Sequence, residues 1–293
     1  MLSVWSRRKA AGLWPSTILL TALLLGGCQG MGLGGIDPGV AQNGALPTSQ
    51  TELERDAEAL GDRYQSNPDN KRVALNYARV LRALTRYAQA VAVTQRLAAK
   101  YPNDMEVLGA YGKALAEDGR LREAATVLPE AHTPEQPSWS ILSAQGAVAD
   151  QLGDHDQAQA YYQAALKIMP DQPDVLSNLG LSYALSKQLP LAESTLQKAV
   201  AQPGADMRVR QNLALVLALE GKFDAAQTLA QQDLSPVDAA ENVAAIRQMI
   251  AQADPWDQIR KIDTKVASRQ TKPRHLAKRM PQAEKVGAAD ILQ

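Results

Sequence analysis

The sequence predicts an all-α fold, a solenoid of stacked antiparallel helix pairs with flexible N- and C-terminal segments. Three observations predict it. Alanine recurs at Ala90, Ala124, Ala158, Ala192 and Ala226, each 34 residues after the one before. Glycine and proline fall at fixed places in the same frame, where they would end successive helices. Aromatic residues make up only 4% of the chain, with a single Phe, which suits close-packed, alanine-rich helices better than a sandwich or barrel.

Residues 1–27 have a basic start (Arg7, Arg8, Lys9), an apolar stretch centred on Ile18 to Leu25, and then Gly26 and Gly27. This is the layout of a secretory signal peptide. A membrane-spanning helix is the alternative, but it needs roughly 20 mainly apolar residues, and Pro15, Ser16, Thr17 and Thr21 leave this core short and uneven. Leu25-Gly26-Gly27-Cys28 resembles the bacterial lipobox, a Leu three residues before an obligatory Cys with small residues between. The resemblance implies that Cys28, the only cysteine, is acylated on its sulfur and, after cleavage, on its new amine. Several acyl chains, each contributing about 0.8 kcal/mol per buried methylene, anchor where one chain would not. A buried free thiol is the bland alternative. Gln29, where an Asp often marks inner-membrane retention, implies the outer-membrane class. Residues 28–50 are rich in Gly and Pro without period and read as a lipidated flexible tether.

Residues 51–70 read as a lone capping helix ended near Pro68. Five repeats follow over 71–234, at 71–104, 105–138, 139–172, 173–206 and 207–234, starting at Lys71, Met105, Trp139, Pro173 and Met207. Their twentieth column is the alanine series. The eighth is always small: Ala78, Gly112, Gly146, Gly180 and Ala214. With alanine at about one residue in six, five coincidences in one column come to about one chance in ten thousand. Small residues at columns eight and twenty let the paired helices approach, and larger ones at four, seven, eleven and twenty-four are expected to fill the gaps. Gly119, Gly153 and Gly221 supply left-handed turns after first helices, while Pro102 and Pro170 stop second helices. The last repeat departs from the pattern, with Asp233 where Ala is expected.

These columns resemble the tetratricopeptide repeat, whose pattern runs W-x2-L-G-x2-Y, A-x3-F, P. LSNLGLSY (Leu176 to Tyr183) fits its first part with Leu for Trp, and AQAYY (Ala158 to Tyr162) its second with Tyr for Phe. One pair cannot bury its apolar face, so pairs stack into a solenoid with a concave side. A C-terminal capping helix over 235–253 has Val243, Ile246, Met249 and Ile250 at helical spacing. The tail, 254–293, carries Lys265, Arg269, Lys272, Arg274, Lys278, Arg279 and Lys285 against Glu284 and Asp290 beyond Asp263, and is expected to be solvated and disordered.

The resemblance implies a groove lined by first helices at columns two, six, nine and thirteen. This stripe contains Arg72, Asn76, Arg79 and Lys113, with Asn178 and Asn212 at column six further on. In the family an asparagine there holds an extended peptide's backbone, and basic neighbours could pair with its acidic groups. The carboxylate clamp of chaperone-type members is not reproduced, since column five is Leu75. An ordinary solvated helix face is the competing reading.

Lys plus Arg balance Asp plus Glu at 31 each, so no whole-protein field recruits nucleic acid. One Cys and three scattered His (His132, His155, His275) offer no thiolate-rich metal site. His155 is expected to be solvated in the turn GDHDQA, and no catalytic constellation, cofactor site or small-molecule site is read. The run from Asp233 to Asp263 resembles the end of the TadD family, the tetratricopeptide lipoproteins of tight-adherence (Flp) pilus systems. This implies a non-enzymatic scaffold on the periplasmic face of a Gram-negative outer membrane. Its expected partners are proteins of the pilus machine, notably the secretin. A repeat lipoprotein for outer-membrane protein assembly or type IV pili, or the regulatory subunit of an envelope enzyme, are the alternatives.

Overall fold

The computed structural model describes residues 49–251. Cys28, the signal and tether, and the basic tail lie outside the described residues. The chain divides after Ile246 into two compact units, and the second contributes only 247–251, the last residues of a helix, to the described part. The account below concerns the first unit.

Its elements are helices throughout the described residues. They are α1 (Gln50–Ser66), α2 (Lys71–Ala83), α3 (Tyr87–Lys100), α4 (Met105–Glu117), α5 (Leu121–Val127), α6 (Trp139–Leu152), α7 (His155–Ile168), α8 (Pro173–Leu185), α9 (Leu189–Val200), α10 (Met207–Leu219) and α11 (Phe223–Ala230). The helix α12 occupies 236–251. Helices α2 to α11 form five consecutive pairs, with α1 packed against α2.

The start of each first helix is written in a column the repeat alignment did not use. Residue 34 of one repeat is the N-cap of the next: the side chains of Asn70, Asp104, Ser138 and Asp206 accept hydrogen bonds from backbone N–H groups one turn on. At α8, Gln172 makes no such bond. Pro173 stands at the first helical position there instead, where its missing N–H leaves nothing unsatisfied. First helices end in a left-handed residue in every repeat. Gly119, Gly153 and Gly221 have φ of 78°, 88° and 80°, and Thr85 and Lys187 hold the same column at 57° and 62°.

Ala90, Ala124, Ala158, Ala192 and Ala226 are each 0% exposed, seated where paired helices come closest. The eighth and twenty-fourth columns are complementary. A Cβ built on Gly112, Gly146 or Gly180 would stand 2.6 Å from a side-chain carbon of Leu128, Tyr162 or Leu196 respectively. Where column eight is Ala78 or Ala214, column twenty-four is the smaller Thr94 or Ala230. The expectation that column twenty-four is always large is therefore corrected: the pair shares one volume, and an extra methyl on one helix needs a smaller side chain on its partner.

Two departures from the repeat have physical causes. Pro129 lacks the N–H that would continue α5, so the second helix of repeat two stops at Val127 and tightens into a 3-10 turn, Leu128–Ala131. In repeat five, Asp233 replaces alanine because Arg210 stands at column four. The guanidinium donates from Nε to the Asp233 carboxylate at 2.8 Å, and the Asp233 side chain is 8% exposed.

Successive first helices touch in the order α2–α4, α4–α6, α6–α8 and α8–α10, whereas among the described elements no second helix packs on the next second helix. Crowding on one side and splaying on the other bends the stack, with the first helices inside.

Candidate functional site

The inner stripe is built from columns two, six, nine and thirteen of the first helices. At its N-terminal end Arg72 is exposed, and Asn76 and Arg79 are half-buried one and two turns further along α2. Helical spacing sets these three on one side of α2.

Lys113 departs from its expected role as an open partner contact. It is 1% exposed, and its Nζ donates to Ser140 Oγ at 2.6 Å, so it rivets α4 to α6. Column nine of one first helix and column two of the next are neighbours in space, 27 residues apart in sequence. Asn212 is engaged in the same manner, its Nδ2 donating to Ser177 Oγ at 2.9 Å and joining α10 to α8. Asn178 is different. It is 6% exposed and, among the described residues, its amide has no hydrogen-bond partner.

Beside Asn178 the stripe becomes apolar. Leu181, Leu185, Leu215 and Leu219 fill columns nine and thirteen of α8 and α10, and each is half-buried. None belongs to the core cluster that these helices share with α9 and α11. Charge at this end is neutralised locally. Arg208 lies 2.8 Å from Asp206 and 3.6 Å from Asp174. Burial pushes the Asp174 carboxyl up, with Arg208 opposing and Asp206 reinforcing the rise. The groove thus offers a basic, polar end on α2 and an apolar end on α8 and α10 that carries one amide, that of Asn178 on α8, with no side-chain partner among the described residues. That combination fits an extended protein segment: main-chain groups for the asparagine, apolar side chains for the leucines.

Sequence reasoning missed the seams between repeats. Arg82 makes a two-pronged pair with Glu117, at 2.6 Å and 2.7 Å, with both side chains at most 16% exposed. It also missed Asp150. His155, expected in solvent, is instead the first residue of α7, with its Nδ1 2.9 Å from Asp150 Oδ1. The carboxylate recruits it because burial leaves Asp150 little water to bind. The only available signal was weak, an Asp on an otherwise apolar first helix five residues before a His.

No group of three or more potential metal ligands is found among the described residues, and none of their helices is long and apolar enough to cross a membrane.

A stack of helix pairs with such a stripe is a repeat scaffold of the protein-binding kind. Comparison with known proteins names the family. The chain matches TPR repeat over residues 151–186 and Tetratricopeptide repeat over 75–132 and 207–232. It is 30% identical over 179 residues to y4yS of Sinorhizobium fredii, covering 60% of this chain and 87% of that protein. It is also 30% identical over 110 residues to human tetratricopeptide repeat protein 7A, but this spans 38% of this chain and only 13% of the human protein. Among solved structures, TTC0263 of Thermus thermophilus shares the fold with a TM-score of 0.53 at 22% identity, over 60% of this chain and 97% of that one. PilW, described as a widely conserved type IV pilus biogenesis factor, shares it with a TM-score of 0.51 at 21% identity, over 68% and 86%. The chain belongs to the tetratricopeptide-repeat proteins, whose repeats are in general non-catalytic scaffolds.

Proposed function

We propose that this protein is a lipid-anchored, non-enzymatic scaffold on the periplasmic face of the outer membrane, where it supports assembly of a tight-adherence pilus machine through its secretin. Cys28 carries the lipid, residues 28–50 give reach, and the inner stripe of the repeats holds an extended segment of the partner. The lipobox around Cys28 and the TadD-like run from Asp233 to Asp263 support the location and the system. The observation that carries the binding role is Asn178, more than nine-tenths buried, with no hydrogen-bond partner among the described residues and flanked by half-buried leucines. Its amide atoms are not sealed from solvent, so a peptide backbone group would replace water there, at a net gain of about 0.5–1.5 kcal/mol per hydrogen bond.

The test is capture of solubilised envelope proteins by the full lipoprotein, compared with Asn178→Ala and Arg79→Glu forms shown by circular dichroism to be folded. The secretin should be retained by the wild type and held at least about tenfold less tightly by Arg79→Glu and about two- to tenfold less tightly by Asn178→Ala, as expected for a charge-assisted and a neutral hydrogen bond. Undiminished secretin capture by both folded variants would remove the stripe from the reading. Retention of a type IV pilus component instead would favour the second reading, which the fold shared with PilW fits equally. For the anchor, Cys28→Ser should move the protein from the membrane to the soluble fraction; a wild-type N-terminus without acyl chains would overturn that part.

A further inference from the structure

The stripe changes character along the length of α8 and α10. Column two, at the start of each helix, is charged: Asp174 and Arg208. One turn on, column six is Asn178 and Asn212, and columns nine and thirteen are leucine in both helices. The order charge, amide, hydrocarbon therefore follows the helix axes rather than crossing from one repeat to the next.

Asp174 is the charge that the fold leaves short of a partner. Its side chain is 25% exposed, and its one ion pair among the described residues, with Arg208, spans 3.6 Å. Arg208 Nε donates instead to Asp206, at 2.8 Å. No side chain among the described residues donates a hydrogen bond to the Asp174 carboxylate. The neighbouring repeat explains the shortfall. One seam earlier, column nine is Lys113, whose ammonium reaches Ser140 at column two of the next first helix. The column-nine residue that corresponds to Asp174 is Ala147, which is 0% exposed and has no side-chain donor. Burial pushes the Asp174 carboxyl up; Arg208 does not offset this, and Asp206 adds to it. One turn along the same side of α8 stands Asn178, 6% exposed and without a side-chain partner among the described residues.

We infer that Asp174 makes this part of the groove selective for a basic residue, so that α8 and α10 take an extended segment with Lys or Arg at one end and apolar side chains about three and about five residues away from it. The inference rests on the protein-binding reading and adds to it the kind of segment that is bound. Leu181 and Leu185 lie about 10 Å and about 16 Å from Asp174 along the axis of α8, at about 1.5 Å per residue. An extended chain advances about 3.3 Å per residue, which sets the two spacings. Asn178, about 6 Å from Asp174 on the same scale, meets main-chain groups between the cation and the first apolar side chain. A Lys or Arg side chain brings charged donors to a carboxylate partly shielded from water, where the pairing is stronger than in bulk solvent. An acidic residue in that place meets Asp174 and Asp206 and is rejected.

An Asp in the first turn of a helix also favours the helix dipole. The readout is therefore which peptide the folded protein prefers, a quantity that a purely structural role leaves unmoved. The experiment titrates labelled synthetic peptides with the full-length protein and follows fluorescence anisotropy. Each peptide has two leucines two residues apart in a glycine-serine background, with Lys, Gln or Glu three residues before or after the pair. In one of the two orders the wild type should bind the Lys peptide about three- to tenfold more tightly than the Gln peptide, and the Glu peptide least. High salt should narrow the difference. Asp174→Asn should bind the Lys and Gln peptides alike, and Asp174→Lys should prefer Glu. A wild type that does not distinguish Lys from Gln, or a Lys preference that persists in Asp174→Asn, overturns the inference and leaves the protein-binding reading standing. Absence of binding by every leucine peptide removes the stripe as a peptide site, and the inference with it. If Asp174→Lys fails to fold, Asp174→Asn still decides the outcome.

Discussion

Gly180 and Leu196 occupy one volume: a Cβ added to the glycine would come within 2.6 Å of the leucine's Cγ, and Leu196 is 0% exposed. The colliding atom is the branch point of a buried side chain, which cannot swing aside. Gly180→Ala should therefore destabilise by about 1–3 kcal/mol through overpacking, despite the helix propensity of alanine, worth about 1 kcal/mol over glycine. Leu196→Ala alone leaves a cavity and should cost about 2–5 kcal/mol. Placed together, the two changes should cost less than their sum, by 0.5 kcal/mol or more on the scale typical of contacting residues, about 0.5–3 kcal/mol. Chemical denaturation of the four proteins closes the cycle; strict additivity would show that the two side chains do not share that space.

The left-handed residue after each first helix gives a prediction in the opposite direction. Thr85 and Lys187 hold φ of 57° and 62°, a region that costs a residue with a Cβ about 1–2 kcal/mol. Three of the five repeats use glycine there. Thr85→Gly and Lys187→Gly should each raise the midpoint of thermal unfolding, Thr85 more because its Cβ is branched. Part of the gain is offset by glycine's greater freedom in the unfolded chain. Calorimetry checks it, and a lower midpoint for Thr85→Gly would mean that the threonine is not strained.

Acid should weaken the seam between the first two repeats. Burial pushes the Asp104 carboxyl up, but the Lys71 ammonium 2.6 Å away and the backbone N–H groups of Val107 and Glu106 outweigh it and hold the carboxyl below its ordinary value. A carboxyl depressed on folding contributes stability that is present above its unfolded pKa, about 3.9, and lost as pH falls through the folded value. The stability difference between wild type and Asp104→Asn should thus be level above about pH 5 and shrink below about pH 4. Urea titrations across that range measure it; a constant difference would remove Asp104 from the acid response.

Much of the fold was readable because its determinants are short-ranged. The alanine column, the glycine turns and the prolines after second helices each act within a few residues of themselves. The N-cap column at Asn70, Asp104, Ser138 and Asp206 was equally local, and the same 34-residue frame would have exposed it. Pro129 was legible too, as a break in a second helix that the repeat frame treats as continuous. The stripe was legible only as a set of positions. Its spacing placed Arg72, Asn76 and Arg79 on one side of α2, but nothing near Lys113 in the chain announced that its ammonium would reach Ser140.

By itself, then, the sequence determined the period, the helix pairs, the small residues between them, and the lipobox and tail that the repeats do not explain. Backbone conformation and turn chemistry are decided by neighbours in the chain, and thirty-four residues repeated five times state them without ambiguity. The tertiary structure decided which polar residues of the inner stripe meet solvent and which are consumed as rivets. Lys113 finds Ser140, Asn212 finds Ser177, and Asp150 draws in His155 and Ser182, while Asn178 is left buried without a partner among the described residues. Most of those partners lie about one repeat away. Which of them come within hydrogen-bond reach depends on the angle at which one helix pair stacks on the next, a property of packed volumes that no single repeat contains.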